Sequence, residues 1–304
     1  MTLNVLCWNV RGIMSSTLCL NVLLDKMSCD VAFVTEHKLQ PYNSSFMDSI
    51  HSNYSSITVC DDTQSQDSYH PCGRAGAAIL YKNYLKPYIE PIDCNSRRIA
   101  GLKLVGVTNR PLYFFSAYLP SDNNILAYRE EIDNLDQLCS LYGDTGHVIL
   151  AGDMNASIRS ENHVNIYKSI QLKQFVQRNC LNALNTSTQC KGPAFTYMPT
   201  QTMLDYIFTD DVMKSCNSSC EIVDEGNITS TSDHLPISTS FTLPQIIPDS
   251  HVEAIIWTAW HKINDDQLQT YQHAVSCKLE DMQTGEITTI EQLNSVNTVI
   301  SDCL

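Results

Sequence analysis

The sequence predicts a layered α/β fold, and three observations lead to this prediction. An apolar strand, Leu3–Trp8, is followed by a helical segment and a second apolar strand, Val31–Thr35, which is the order of an α/β unit. The run Val148–Ala151, rich in β-branched residues, has the length and composition of a buried strand. Polar residues follow these strands directly, at the edge where layered α/β proteins bind ligands. We therefore expect a functional site at the strand ends.

The first helix is predicted from residue spacing over 16–27. Leucines and a methionine recur there on one helical face, and Ser16 or Thr17 is a suitable N-cap. Strands near 76–81, 99–105 and 112–118 follow one another closely, so we expect them to be antiparallel neighbours. The helix at 123–142 is predicted to bury Leu126, Ile132, Leu135, Leu138 and Leu141. The other predicted elements are a strand at 56–60, helices at 45–52 and 165–178, short strands at 203–208, 220–223 and 235–241, and a loop at 61–72.

Composition changes after Phe241, where a proline-containing linker, Leu243–Pro248, begins. Residues 1–243 carry 24 acidic and 17 basic side chains, whereas residues 244–304 carry 9 acidic and 2 basic side chains. Two acidic helices are predicted within 264–301. We therefore expect a globular catalytic domain over 1–243, and a linker with an acidic helical tail over 244–304.

Overall composition is that of a globular protein, with 43% hydrophobic and 17% charged residues. A net charge of −14 weighs against non-specific binding of polyanions, but it is compatible with an enzyme whose metal cation offsets its carboxylates. The sequence has no apolar run of about 18 residues and no signal-peptide pattern, so we expect no membrane contact and an intracellular location, nuclear or cytoplasmic. Its 13 cysteines include no Cys-x-x-Cys, which argues against a disulfide framework or a zinc site.

The strand at 148–151 is the best candidate for carrying a functional site. It ends at Gly152 and is followed by Asp153 and Asn155, two residues apart. In extended backbone such residues point the same way, so both side chains are predicted to enter one small volume. An Asx turn that caps the strand is the simpler explanation for an Asp-x-Asn taken alone.

Several other strands also end in polar residues that packing does not explain. Singly, each has a structural explanation, such as a turn, a solvated face or a histidine with satisfied hydrogen bonds. Together they fit phosphodiester hydrolysis assisted by Mg²⁺ or Mn²⁺, because hard cations prefer oxygen ligands and the reaction needs a proton acceptor and donors for developing charge. The set is Asn9, Glu36, Tyr118, Asp153, Asn155, Asp205, Asp233 and His234.

These residues lie in motifs that resemble those of the endonuclease/exonuclease/phosphatase superfamily, and they occur in the same order. The resemblance covers about residues 3–241. It implies a four-layer α/β sandwich, in which two mixed β-sheets pack face to face and are flanked by helices, with the site at one edge. The motifs are Trp8-Asn9, Thr35-Glu36, Tyr118-Leu-Pro120, Gly152-Asp-Met-Asn155, Leu204-Asp-Tyr206 and Ser232-Asp-His-Leu-Pro236.

The resemblance also implies a role for each matched residue. Glu36 would be the main metal ligand, with Asn9 beside it and Asp233 assisting the metal or the histidine. Asp153 would orient or activate water, and Asn155 and Tyr118 would contact the phosphate. Asp205 and His234 would form a carboxylate–imidazole pair against the scissile phosphate, and either Asp153 or His234 would take the proton.

Three features favour the retrotransposon (non-LTR) endonucleases within the superfamily. The run Trp8-Asn-Val-Arg-Gly12 is similar to theirs, whereas abasic-site nucleases usually have Asn or Asp in place of Arg11. The segment Met198–Met203 is shorter than the Trp-bearing insertion of abasic-site enzymes. The tail segment Ile256–Tyr271 resembles the connector that leads to a reverse transcriptase in retrotransposon polyproteins, a region that we do not find in this chain.

The leading hypothesis is therefore a DNA endonuclease of retrotransposon type that nicks one strand, with DNA as substrate and Mg²⁺ (or Mn²⁺) as cofactor. One alternative is a phosphatase or phosphodiesterase acting on a small or lipid phosphate, which the acidic charge suits better. Another is a domesticated, non-catalytic fragment whose acidic tail binds a protein partner.

Overall fold

The computed structural model describes residues 1–61, 73–159, 166–224, 226 and 231–244, with two isolated tail residues, 269 and 273. The chain divides into two compact units, Met1–Ile246 and Ile247–Leu304, and the fold described below belongs to the first. The helices predicted in the tail and most of the predicted loop at 61–72 lie outside the described residues. Across the part that is described, no helix has the length and apolar character needed to cross a bilayer.

The described residues of the first unit form twelve strands, four α-helices and three short 3₁₀ helices. The strands are β1 (Thr2–Asn9), β2 (Val31–Thr35), β3 (Tyr54–Asp61), β4 (Arg74–Lys82), β5 (Ile89–Ile92), β6 (Ile99–Leu104), β7 (Leu112–Tyr118), β8 (His147–Asp153), β9 (Asn182–Ala183), β10 (Asp205–Thr209), β11 (Asn217–Ile222) and β12 (Ile237–Thr242). The α-helices are α1 (Ile13–Lys26), α2 (Ile125–Gly143), α3 (Ile166–Arg178) and α4 (Asp211–Cys216), and short 3₁₀ helices span Pro41–Ser49, Asn83–Tyr88 and Leu184–Thr186.

These strands form two six-stranded mixed sheets. The first sheet has the order β11-β12-β1-β2-β4-β3, and the second has the order β5-β6-β7-β8-β10-β9. Each sheet contains one parallel pair, β1 with β2 and β7 with β8, and a helix connects the two strands of each pair. Parallel strands end at the same edge, so the first sheet presents the ends of β1 and β2 together and the second presents those of β7 and β8.

The sheets pack face to face, and helices cover their outer faces. Phe33 of β2 and Phe114 of β7 meet in the core between the sheets, with ring centroids 6.1 Å apart. A second cluster joins the other face of β1, including Leu6 and Trp8, to leucines of α1. Side chains of α2 and α3 pack in the same cluster as β7 and β8. The structure confirms the predicted four-layer α/β sandwich.

The predicted N-cap of the first helix is wrong. The helix begins at Ile13, after Gly12, so Ser16 and Thr17 lie inside it. The Ser16 hydroxyl donates to the carbonyl of Val10, which precedes the helix, and the Thr17 hydroxyl donates to the carbonyl of Ile13, one turn earlier. The helix begins early because Gly12, with φ of 124°, turns the chain directly out of β1.

The predicted neighbours of β4 and the buried face of α2 are also partly wrong. β4 pairs with β2 and β3 in the first sheet, and the neighbour of β6 is instead the short edge strand β5, which contains Pro91. In α2, Leu126 and Leu141 are 71% and 63% exposed. Tyr128 and Cys139 occupy the buried face in their place, because helix orientation follows the packing surface and not leucine content alone.

Gly152 connects the fold to the predicted site, and it tolerates no side chain. Its φ is 143°, and a Cβ there would collide with the Ala117 carbonyl of the neighbouring strand. We expect Gly152→Ala to lower the free energy of unfolding by about 2–4 kcal/mol, through strain and local separation of β7 from β8. Urea denaturation measures this change.

Gly143→Ala is the matched control, because Gly143 ends α2 and an added Cβ meets no atom within 4 Å. This variant should change stability by less than about 1 kcal/mol. Equal effects of the two substitutions would contradict the close approach at Gly152.

Candidate active site

Strand ends from both sheets bring the eight predicted residues to one edge of the sandwich. Asn9 ends β1, and Glu36 directly follows β2. In the second sheet, Tyr118 and Asp153 are paired across the ends of β7 and β8. Asp205 begins β10, which is antiparallel to β8, so it also lies opposite Asp153. Sheet register therefore places the catalytic candidates together.

Asp153 is buried at the centre of this group. Its Oδ2 accepts a hydrogen bond from Asn9 Nδ2 at 2.9 Å, and its Oδ1 accepts one from the Asn155 backbone amide at 2.9 Å. The first bond joins the two sheets, because Asn9 and Asp153 belong to different ones. Burial and the nearby Asp205 carboxylate raise the pKa of Asp153 to about 7, against the lowering effect of His234. Asp153 is therefore suited to accept a proton near neutral pH.

Asn155 follows Asp153 in a left-handed backbone conformation, with φ of 46°. Its Nδ2 donates to the Leu119 carbonyl at 2.9 Å, which ties the β8 exit to the loop after β7. A primary amide has two N–H groups, so this bond leaves one for a ligand. The predicted phosphate contact of Asn155 stays a prediction.

His234 forms a short hydrogen bond to Asp205, with 2.7 Å between Nδ1 and Oδ2. Its Nε2 lies 3.9 Å from Asp153 Oδ2, and its backbone carbonyl accepts from Trp8 Nε1 at 2.8 Å. Burial lowers the pKa of His234, but the carboxylates of Asp205 and Asp153 outweigh burial and raise it to about 10. The imidazole is therefore a cation at neutral pH, held in a fixed orientation.

Glu36 lies at the exit of β2 with φ of 53°, a conformation that is uncommon for a residue with a side chain. Tyr118 donates to its Oε1 at 2.7 Å, and Lys38 Nζ lies 3.0 Å from its Oε2. Burial raises the pKa of Glu36, but these donors and the Lys38 charge outweigh burial and lower it. Glu36 is therefore an anion that projects from a strained backbone.

Tyr118 serves here as a hydrogen-bond donor. Burial and the neighbouring Glu36 carboxylate raise the pKa of Tyr118 far above its usual range, so the phenol keeps its proton. Arg98 lies over the Tyr118 ring at 5.6 Å and also pairs with Asp61 at the end of β3. This arrangement braces the phenol through its ring face, while the hydroxyl is directed to Glu36.

Asp233 precedes His234. Its side chain is the most accessible of the four acidic candidates, Glu36, Asp153, Asp205 and Asp233. Its Oδ2 lies 3.2 Å from Arg11 Nη1, and 22% of its side chain is exposed. Arg11 also donates its backbone amide to Asn9 Oδ1 at 3.0 Å. Arg11 thus connects two of the three predicted metal ligands.

The donor set fits a hard divalent cation. Glu36, Asn9 and Asp233 supply carboxylate and amide oxygens, which Mg²⁺ and Mn²⁺ prefer over sulfur ligands. The strained backbone at Glu36 is typical of a functional position. Among the described residues, Asp205 Oδ1 is buried without a hydrogen-bond partner, which leaves an acceptor for a proton, water or cation.

Asp153, Asp205 and His234 form a second group that could hold a cation, since one ligand atom from each lies within 4.8 Å of the others. The Asp205–His234 hydrogen bond occupies two of these atoms, and the imidazole is protonated. A protonated ring nitrogen is not a metal ligand, so in this protonation state the group is less suited to a cation than Glu36, Asn9 and Asp233.

Sequence analysis missed several residues that complete the site. Tyr197 packs on the His234 ring, with centroids 4.9 Å apart, and Ser232 Oγ accepts from the His234 amide. Lys38 and Arg11 neutralise the predicted metal ligands. Tyr197 lies 37 positions from its partner, and no local pattern indicates such a contact. Arg11 and Ser232 lie in motifs that the sequence analysis identified, and Lys38 lies two residues after Glu36, so these three positions carried a signal.

The comparisons with known proteins agree with this fold. Residues 112–238, less than half of the chain, match the family described as Endonuclease-reverse transcriptase. No curated protein matches the chain by sequence. Solved structures with a similar fold include an AP endonuclease from Leishmania major, with 15% identity, a TM-score of 0.62 and coverage of 80% of this chain and 88% of that one.

Two further structures share the fold. The endonuclease domain of TRAS1, a telomere-specific non-LTR retrotransposon, has 18% identity and a TM-score of 0.59, over 80% of this chain and 99% of that one. An endonuclease/exonuclease/phosphatase from Bacteroides vulgatus has 15% identity and a TM-score of 0.59, over 80% of this chain and all of that one.

The fold and site define a two-sheet α/β protein with a carboxylate–histidine site at one sheet edge. Residues 112–238 match the Endonuclease-reverse transcriptase family, and the chain shares its fold with AP endonucleases, a retrotransposon endonuclease and an endonuclease/exonuclease/phosphatase. The predicted resemblance to the endonuclease/exonuclease/phosphatase superfamily is therefore confirmed for the fold.

The electrostatics of the site give a test that needs no substrate. Because Asp205 is the largest contributor that raises the pKa of His234, we expect Asp205→Asn to lower it from about 10 by more than one unit. A raised histidine pKa stabilises the fold fully below the unfolded value of about 6.5, and this stabilisation is lost as pH rises toward 10. The wild type should therefore lose more stability than Asp205→Asn between pH 6.5 and 10. NMR titration of the His234 ring and urea denaturation measure the two effects.

Asp210→Asn provides the matched control. It removes the carboxylate of another His–Asp pair, since Asp210 lies 2.9 Å from His147 at the opposite end of β8. It should leave the pKa of His234 unchanged. An unshifted His234 in Asp205→Asn would contradict the electrostatic assignment.

Proposed function

We propose that the protein is a divalent-metal-dependent DNA endonuclease of the retrotransposon type, which nicks one strand. The observation that carries the proposal is the Asp153–Asp205–His234 cluster, next to the oxygen ligands Glu36 and Asn9. A proton acceptor, a fixed cation and a hard-metal site are together what phosphodiester hydrolysis requires.

In this proposal, Glu36, Asn9 and Asp233 hold the cation. The chemistry supplied by such a cation, when bound, is polarisation of a phosphoryl oxygen and stabilisation of the leaving oxygen. Tyr118 keeps Glu36 oriented through its 2.7 Å hydrogen bond. Because the phenol has a single O–H, the predicted contact with the phosphate requires Tyr118 to give up its bond to Glu36.

Asp153 is the group that we propose takes the proton from the attacking water. Its raised pKa matches a base that works near neutral pH, whereas His234, with a pKa of about 10, already carries its proton. His234 then contributes its Nε2–H and its positive charge to the phosphoryl oxygens, while Asp205 holds Nδ1. This division of roles favours Asp153 as the base, a choice that the sequence left open between the two residues.

DNA is the substrate that we favour among phosphodiesters. The matched family carries the words Endonuclease-reverse transcriptase in its description, and the TRAS1 domain is named as a retrotransposon endonuclease. The segment from Tyr197 to Thr202 closes as a tight turn, with the two residues bridged and the Thr202 amide donating to the Tyr197 carbonyl at 3.2 Å. So short a turn has little room for an added aromatic pocket, which supports the retrotransposon type over an abasic-site enzyme.

Supercoiled plasmid tests the proposal directly. We expect Mg²⁺ to convert it to open circles, EDTA to prevent this, and both Asp153→Asn and His234→Gln to reduce the rate about 10²–10⁴-fold. Each variant should keep the circular dichroism spectrum of the wild type. The rate of open-circle formation is the measurement.

Asp133→Asn is the control for removal of one carboxylate, because Asp133 is exposed on α2 and pairs with Arg129. It should nick at the wild-type rate. A folded wild type that binds Mn²⁺ but nicks no plasmid would overturn the endonuclease proposal. Phosphate release from inositol phosphates would then test the phosphatase alternative.

A further inference from the structure

Arg11 is a basic residue next to the site that the proposed mechanism does not use. Its Nη1 lies 3.2 Å from Asp233 Oδ2, while 58% of its side chain is exposed. Its backbone amide donates to Asn9 Oδ1, and its carbonyl accepts from Lys38 Nζ at 3.4 Å. The residue is therefore anchored through its backbone beside the proposed metal ligands, while its side chain faces solvent.

The backbone of Arg11 is strained, with φ of 52°. Glycine adopts this conformation without cost, whereas a residue with a Cβ does so at some expense in stability. A glycine would therefore satisfy the local fold better. This suggests that the guanidinium has a use that folding alone does not explain.

The ion pair between Arg11 and Asp233 is of a kind that exchanges easily. Pairs with this much exposure contribute little to stability, because water screens the charges and holding a long side chain costs entropy. A divalent cation bound to Asp233 would compete with the guanidinium for the same oxygens. The released guanidinium presents a planar fork of donors that matches two phosphate oxygens.

We propose that Arg11 is a phosphate-binding residue, which exchanges Asp233 for a substrate phosphate when a divalent cation binds the site. The inference rests on the proposed function, and it adds a binding group for a polyanion on a chain with a net charge of −14. It makes cation binding and DNA binding mutually dependent. A cation on Asp233 frees Arg11 for a DNA phosphate, and a phosphate on Arg11 frees Asp233 for the cation.

The first arm of the test measures Mn²⁺ binding without DNA, by the EPR signal of free Mn²⁺. Arg11→Gln should bind Mn²⁺ about 2- to 5-fold more tightly than the wild type, because the competing guanidinium is gone. Arg129→Gln is the matched control, since Arg129 is 60% exposed and also pairs with an aspartate, Asp133. It should leave the Mn²⁺ affinity unchanged.

The second arm measures DNA binding by fluorescence anisotropy over a range of salt concentrations. The slope of log Kd against log salt falls by about 0.9 for each DNA phosphate that the protein no longer neutralises. We expect Arg11→Gln to reduce the slope by about 0.9 in Ca²⁺, used as a non-redox oxygen-binding cation, and to leave it unchanged in EDTA. Gel analysis checks that the DNA stays intact, and Arg129→Gln should show no such dependence on Ca²⁺.

Arg11→Gly guards against misfolding of the glutamine variant, because glycine adopts φ of 52° freely. It should show the same reduction of slope in Ca²⁺ and a melting temperature no lower than that of Arg11→Gln. An equal reduction in Ca²⁺ and EDTA, or no reduction in either, would overturn the exchange. A wild type that binds no DNA would instead overturn the proposed function. Failure of the exchange is therefore seen in the Arg11 variants, and failure of the proposed function is seen in the wild type.

Discussion

Burial of the Asp153 carboxylate is the constraint on which the rest of the site depends. An ion taken out of water costs several kcal/mol unless partners replace the lost hydration. The structure supplies those partners from three separate segments: the amide of Asn9 on β1, the backbone of Asn155 beyond β8, and the cationic ring of His234 before β12. Since Asn9 and Asp153 belong to opposite sheets, satisfying this carboxylate also fixes how the two sheets meet at their edge.

Backbone strain occurs at the same edge, in four of the nine described non-glycine residues that have a positive φ. Arg11, Glu36, Lys38 and Asn155 all have positive φ values between 46° and 57°, and each directly follows or lies close to a strand end. Such conformations cost about 1–3 kcal/mol each, so they persist only where the surrounding fold holds them. Two sheets with extensive cores supply that support. These turns direct the four side chains away from the strands, in directions that a relaxed backbone would not give.

The sequence predicted the parts of this arrangement that are local. The strands ending at Asn9, Thr35, Tyr118 and Asp153 were each recognisable from a few apolar residues and a polar stop, and motif order then implied that they meet. Pairings between distant segments were not accessible in this way. β4 joins the first sheet although β5 and β6 follow it, because strand pairing is decided by tertiary packing. The ion pair of Arg11 with Asp233 joins residues 222 positions apart, and no periodicity reports such a contact.

The net charge of the chain also says little about the electrostatics of the site, because it does not report which charges are neighbours. At physiological ionic strength, exposed charges act over about 8 Å, so a ligand responds to the groups near it and hardly to the chain total of −14. Near the site, Lys38, Arg11 and the His234 cation stand against Glu36, Asp233, Asp153 and Asp205. A divalent cation added to this balance, together with the raised pKa of Asp153, shifts the local charge toward neutral or positive. An acidic protein can therefore attract a phosphodiester at this edge, where nearby cations neutralise the carboxylates.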